Sequence, residues 1–398
     1  IVFSSNVAPP PNPAHAVTTG ELFLLSCLLF LLLPVSSSAC SFPAIFNFGD
    51  SNSDTGGLSS SFSIGPVNLP YGETFFGFPS GRFSDGRLIV DFVAGELGLP
   101  RLCAYLDSLC PNFSRGANFA TALSTIVPQN TTLPLGVYSP FSLDVQLKQF
   151  LLFKSRLQMV YRKGGVYKDL VPQEGYIAKA LYTIDIGQND LTALYFSNMS
   201  AEEYLPNALK EFSTVIKRIY RLGGRYFWIH NTGPLGCLPY VLVQVPLNAA
   251  RLDRAGCSIL FNDLARRFNS LLNETVVQLR KELPLAALTL VDIFSVKYSL
   301  ISQAKKNGFE QPLRSCCGDG SSKYNYNSNA RCGDTAMKNG IDVLIGKSCK
   351  DPTKSIIWDG VHYTEAANKW IFDQISKGLY SDPPISLSSA CYRNPRKA

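Results

Sequence analysis

Histidine is scarce in this sequence of 398 residues, which contains only His15, His230 and His362. That scarcity leaves few candidates for a base acting near neutral pH. Charge is sparse too: 17% of residues are charged, and a net charge of +7 is spread without a block of Lys and Arg. A nucleic-acid partner finds no basic stripe to bind. No Cys-x-x-Cys pair occurs and no histidine neighbours the cysteines, which disfavours zinc. Gly-x-Ser-x-Gly is absent throughout, so the serine elbow of the α/β-hydrolase fold is disfavoured. Residues 1–39 lack Lys and Arg altogether and hold one acid, Glu21.

The rest of the composition is that of a folded protein, 46% hydrophobic and 12% aromatic. Leu22 to Val35 is nearly pure Leu and Phe, too short to cross a bilayer comfortably, and Ser36-Ser37-Ser38-Ala39 follows. We read residues 1–39 as a leader with a secretory signal peptide cleaved near Ala39, and expect no stable membrane anchor. Beyond it stand Cys40, Cys103, Cys110, Cys237, Cys257, Cys316, Cys317, Cys332, Cys349 and Cys391, an even set that suits disulfides in an exported chain. Cys103 and Cys110 could close a small loop. The group from Cys316 to Cys349 lies in a Gly-, Ser- and Asn-rich segment that reads as a stapled insertion near 310–350. Sequons at Asn112, Asn130, Asn198 and Asn273 add an expectation of glycosylation.

Along the chain, buried-strand runs alternate with amphipathic helices. Ala44–Phe48, Ala180–Ile186, Tyr226–His230 and Leu288–Ile293 read as strands. Leu88–Leu97, Ser142–Arg162, Tyr204–Leu222, Ile259–Leu283 and a segment capped by Thr364 read as helices. This alternation implies a mostly parallel sheet covered on both faces. One α/β/α domain over 40–381 is expected, with a loose tail over 382–398. The long Gly- and Pro-rich stretch Ser59–Asp85 has the length of a binding loop.

The chemistry is declared at Gly49-Asp50-Ser51, where the first strand gives way to turn residues. A strand ending there sets the Ser51 hydroxyl at the carboxyl edge of a sheet, where open α/β folds bind ligands. A serine nucleophile needs a base. His362 has Asp359 three residues before it, close enough to fix its tautomer, whereas His230 ends an apolar strand and reads as a core or edge residue. Donors for a developing oxyanion are the backbone N–H of Ser51 and Gly116 and the side-chain amide of Asn189. A glycosidase would need two opposed carboxylates, and no such pair stands out.

Gly49-Asp50-Ser51, Arg115-Gly116-Ala117-Asn118-Phe119-Ala120, Gly187-Gln188-Asn189-Asp190 and Asp359-Gly360-Val361-His362 occur in one fixed order. With Ser53-Asp54-Thr55-Gly56, Gly81 to Arg87 and Gly233 to Cys237, they make the chain closely resemble the plant branch of the GDSL esterase/lipase family, within the SGNH hydrolase superfamily. The resemblance spans roughly Pro43 to Tyr380. It implies a flavodoxin-like three-layer sheet and no metal or other cofactor. It also implies Ser51 as nucleophile, His362 as base, Asp359 as orienting acid, and Ser51, Gly116 and Asn189 as the oxyanion hole. The implied activity is a secreted serine esterase acting on a small-molecule or polysaccharide-linked ester, with an acyltransferase using the same site as the alternative. Two departures stand out. Asn52 replaces the Leu of the family name, and Thr121-Ala122-Leu123 replaces a more Gly-rich stretch.

Overall fold

Five short strands, each almost wholly buried, form the centre of the computed structural model: β1 (Ile45–Gly49), β2 (Gly116–Asn118), β3 (Leu181–Asp185), β4 (Tyr226–His230) and β5 (Ala287–Val291). The structure describes residues 39–129, 139–196, 199–245 and 251–393, together with 8 and 248. Most of the leader and the sequons at Asn130 and Asn198 lie outside the described residues. Between the fifth strand and the end come the hairpin β6 (Thr335–Lys338) and β7 (Ile341–Leu344), and the short β8 (Ser381–Asp382). The main sheet has the order β2-β1-β3-β4-β5-β8, parallel except for β8. Its parallel part has the flavodoxin-like order, so the strand order switches direction at β1 and β3, where ligands bind beyond the carboxyl ends.

Helices α1 (Gly57–Phe62), α2 (Ile89–Glu96), α3 (Leu143–Lys163), α4 (Gln188–Phe196), α5 (Ala201–Arg221), α6 (Ile259–Glu282), α7 (Ile293–Ser302) and α8 (Glu365–Ile375) follow the strands. α3 packs on α5 and α5 on α6, while α2 and α7 pack on α8, giving a layer on each face of the sheet. Burial explains the strand sequences. Phe46 and Phe48 are fully buried and meet Phe150 of α3 edge-on, with ring centroids 5.2 and 5.8 Å away. Asn47 is the polar exception in β1. Its amide donates to the Asn118 side chain at 2.7 Å, and its carbonyl accepts from Thr183 at 2.7 Å, so β2, β1 and β3 are tied across their centres.

Two sequence expectations are corrected. The strand expected at Leu288–Ile293 ends at Val291, because Asp292 caps α7 by accepting from the Ser295 N–H at 3.0 Å. The tail is not loose as far as Arg393: β8 pairs with β5, Leu387 and Ala390 are buried in the core, and Cys391 is bonded to Cys40. The remaining cysteines pair as 103–110, 237–257, 316–349 and 317–332, so none of the ten holds a free thiolate for a metal. No helix among the described residues is long and apolar enough to cross a membrane.

Candidate active site

The turn after β1 is held rigidly by its acids. Asp50 Oδ1 accepts the Asn52 backbone N–H and amide, both at 2.9 Å. Asp54 accepts the N–H groups of Gly56, Gly57 and Leu58 and, across the site, that of Ala122 at 2.8 Å. Ser51 is thereby fixed just beyond the sheet edge, in a cavity of about 300 Å³ shared with Tyr71, Leu123, Asn189, Arg331, Asp359 and His362.

His362 sits one residue before Tyr363 and two before Thr364, the N-cap of α8, whose Oγ1 accepts from the Ala367 N–H at 3.2 Å. Its Nδ1 lies 2.8 Å from Asp359 Oδ2. Asp359 also accepts the His362 and Val361 N–H groups and the Tyr71 hydroxyl, the last at 2.9 Å. Burial disfavours the ionised Asp359, but the His362 charge and these hydrogen bonds outweigh it and hold the carboxyl below its ordinary range. Burial and the same carboxylate push the Tyr71 hydroxyl well above the ordinary tyrosine range, so it stays a donor. With Nδ1 taken, His362 Nε2 is buried and without a hydrogen-bond partner. Ser51 shares its pocket but makes no hydrogen bond with it. Such contacts in unliganded sites commonly tighten only when substrate binds.

The long loop expected to bind substrate supports this histidine. Phe83 packs on the imidazole with ring centroids 4.7 Å apart. Arg82 forms a buried bidentate pair with Asp91 at 2.8 Å, and Asp85 accepts the Glu365 N–H at 2.7 Å, fixing the start of α8. The cysteine-rich insertion closes the other side. Cys316 and Cys317 donate their N–H groups to Ile357 and Trp358, and the 317–332 disulfide brings Cys332 and Arg331 to the cavity wall. Replacing Cys317 and Cys332 by Ser is expected to cost about 2–4 kcal/mol of stability. It should also raise KM more than it lowers kcat, as steady-state kinetics at low temperature will show.

Of the expected oxyanion donors, the Ser51 N–H makes no hydrogen bond. Asn189 gives one amide hydrogen to Ser124 O at 2.9 Å and keeps the second. Gly116 is not brought to the site. It pairs with Ile45 at the start of β1, the opposite edge of the sheet, and its N–H donates to Phe113 O at 2.9 Å. Its glycine is a packing requirement, since φ is +111° and a Cβ would be driven into the Ile45 carbonyl. At the cavity stands Leu123 instead, with φ of +65°, a left-handed value that a leucine seldom adopts. The signal for it was the departure from the Gly-rich stretch. A residue whose backbone must turn that way beside a site is ordinarily glycine.

The sheet order, the edge chosen by Ser51 and the Asp359–His362 pair facing it define a three-layer α/β/α hydrolase. Residues 45–375 match the model of the GDSL-like lipase/acylhydrolase family. A GDSL esterase/lipase of Arabidopsis thaliana is 54% identical over 94% of this chain and 99% of its own length. An esterase of Hevea brasiliensis is 53% identical, over 94% and 95%. An Arabidopsis protein named alpha-L-fucosidase 3 is 52% identical, over 94% and 98%. The chain belongs to the GDSL-like lipase/acylhydrolase family and is a carboxylic-ester hydrolase.

Proposed function

We propose that the protein is a secreted serine esterase working through an acyl-enzyme on Ser51. His362 Nε2 takes the hydroxyl proton as Ser51 Oγ attacks the ester carbonyl. The imidazolium, stabilised by Asp359, returns that proton to the departing alkoxide. Water, deprotonated by the same ring, then releases the acid and restores Ser51. The oxyanion is received by the Ser51 N–H, the free Asn189 amide hydrogen and the Leu123 N–H, which takes the part expected of Gly116. The observation that carries this reading is the buried Asp359–His362 pair, with its outer nitrogen unpartnered, in the pocket that holds Ser51.

The leader, the disulfides and the exposed sequons Asn112 and Asn273 support export. Sequencing the mature N-terminus is expected to begin near Cys40, and a chain retaining Leu22–Val35 overturns the assignment. For the substrate, the cavity's size and the Leu123 side chain favour a compact acyl group. Leu123→Gly is expected to keep the backbone turn and to raise kcat/KM for long-chain p-nitrophenyl esters relative to acetate by about tenfold. An unchanged chain-length profile rules out that role for Leu123. Because one relative bears a fucosidase name, p-nitrophenyl fucoside should be assayed alongside. Turnover of it that survives Ser51→Ala contradicts the serine mechanism as the source of that activity.

A further inference from the structure

Behind Ser51 lies a set of buried ionisable groups that ester hydrolysis by the proposed residues leaves unused. Asp50 follows β1, Asp185 ends β3, His230 ends β4, and Lys297 reaches in from α7. Asp50 is 1% exposed, Lys297 3% and His230 7%. His230 Nδ1 lies 3.1 Å from Asp185 Oδ2, while His230 Nε2 and Asp50 Oδ2 are buried without hydrogen-bond partners. The Lys297 ammonium rests on the Tyr363 ring, 4.2 Å from its centroid, one residue beyond His362. Resting on the functional reading above, we propose that Asp50 is a positioning residue of the site, whose ionised carboxylate, balanced by Lys297, holds the Ser51–Asn52 turn and stabilises the imidazolium of His362.

The two carboxylates of the cluster share its cations unequally. Asp185 takes the His230 hydrogen bond and shares the field of Lys297. Burial works against its charge, but His230 and then Lys297 keep it below its ordinary range. Asp50 is left as the second carboxylate. Burial first, and then repulsion from Asp185, raise it to about 7, against the Asn52 hydrogen bonds and the His362 charge. Burial pulls Lys297 below its usual value, and the attraction of Asp185 and Asp50 opposes this. The charged or titratable groups that face Asp50 are therefore Asp185 from β3, Lys297 from α7 and His362 ahead of α8, with His230 of β4 acting through Asp185. A carboxylate with that balance changes charge near neutral pH. When Asp50 is ionised it favours the cation that His362 becomes in the transition state, and when neutral it does not.

The test compares wild type with Asp50→Asn, which keeps the acceptor for Asn52 and removes the charge. The acid limb of kcat/KM in the wild type is expected to be steeper than a single ionisation. In Asp50→Asn it becomes a single ionisation, with kcat/KM about tenfold lower at pH 8. Lys297→Met is expected to move the wild-type limb upward by about one pH unit. A second readout needs no activity. Between about pH 4 and pH 7 the unfolded chain has released the Asp50 proton and the folded chain has kept it, so wild type loses more stability as pH rises than Asp50→Asn does. The melting temperature of Asp50→Asn should thus exceed wild type at pH 8, and the gap should close as pH falls to about 4. A wild-type limb of one ionisation, or a gap in melting temperature that does not vary with pH, overturns the proposal. Absence of ester turnover by wild type sinks the functional reading instead, and the thermal comparison still decides the ionisation of Asp50.

Discussion

Ser51→Ala is expected to lower kcat toward a short-chain aryl ester by at least about 10⁴-fold while leaving the melting temperature within a few degrees of wild type. The size of the loss follows from the role. Without an oxygen at this position no acyl-enzyme forms, and only binding and oxyanion donors are left to assist direct attack by water. The small stability effect follows from the structure. The Ser51 side chain makes no hydrogen bond in the fold, and the turn that carries it is held by Asp50 and Asp54, which the substitution leaves in place. A serine-directed phosphonate gives an independent check, since it should label wild type once and the variant not at all. Full turnover by a folded Ser51→Ala protein removes the mechanism proposed here.

How far the sequence alone leads depends on the range over which each feature is determined. β4 was legible as Tyr226–His230 because a buried parallel strand needs an unbroken apolar run, and one is written there. α6 was legible because Ile259–Glu282 carries its apolar residues at helical spacing. Asp359 and His362 were legible because three residues of separation suffice to bring a carboxylate to a ring. Gly116 was misplaced for the converse reason. Its motif marks a glycine that cannot tolerate a side chain, but not which end of the strand it occupies, and the clash is with Ile45, 71 positions away in sequence. Lys297 was invisible in the sequence, since a lysine on a helix is ordinarily solvated. Only the packing of α7 against α8 puts it on Tyr363. The tail read as loose because Ser, Pro and Arg dominate it, and the anchor that orders it, Cys40, lies at the far end of the domain.

Asp359→Asn provides the second large effect, with kcat expected to fall by about 10⁴-fold. The Asn side chain can keep the hydrogen bonds from the Val361 and His362 N–H groups, so the loop and its link to Trp358 should survive. What changes is the partner of His362 Nδ1. A carboxylate only accepts, which fixes the proton on Nδ1 and leaves Nε2 as the base. An amide can present N–H to the ring instead and favour the tautomer with the proton on Nε2, where it blocks abstraction from Ser51. The imidazolium also loses the buried negative charge that stabilises it. Tyr71→Phe separates the two contributions, because it removes one hydrogen bond from Asp359 without touching the ring. The Asp359 carboxyl pKa should rise, and kcat should fall only about tenfold. Measuring kcat and its pH profile for both variants checks the assignment. If Asp359→Asn loses no more than Tyr71→Phe, Asp359 is a packing residue of the loop and the base must be oriented by another group.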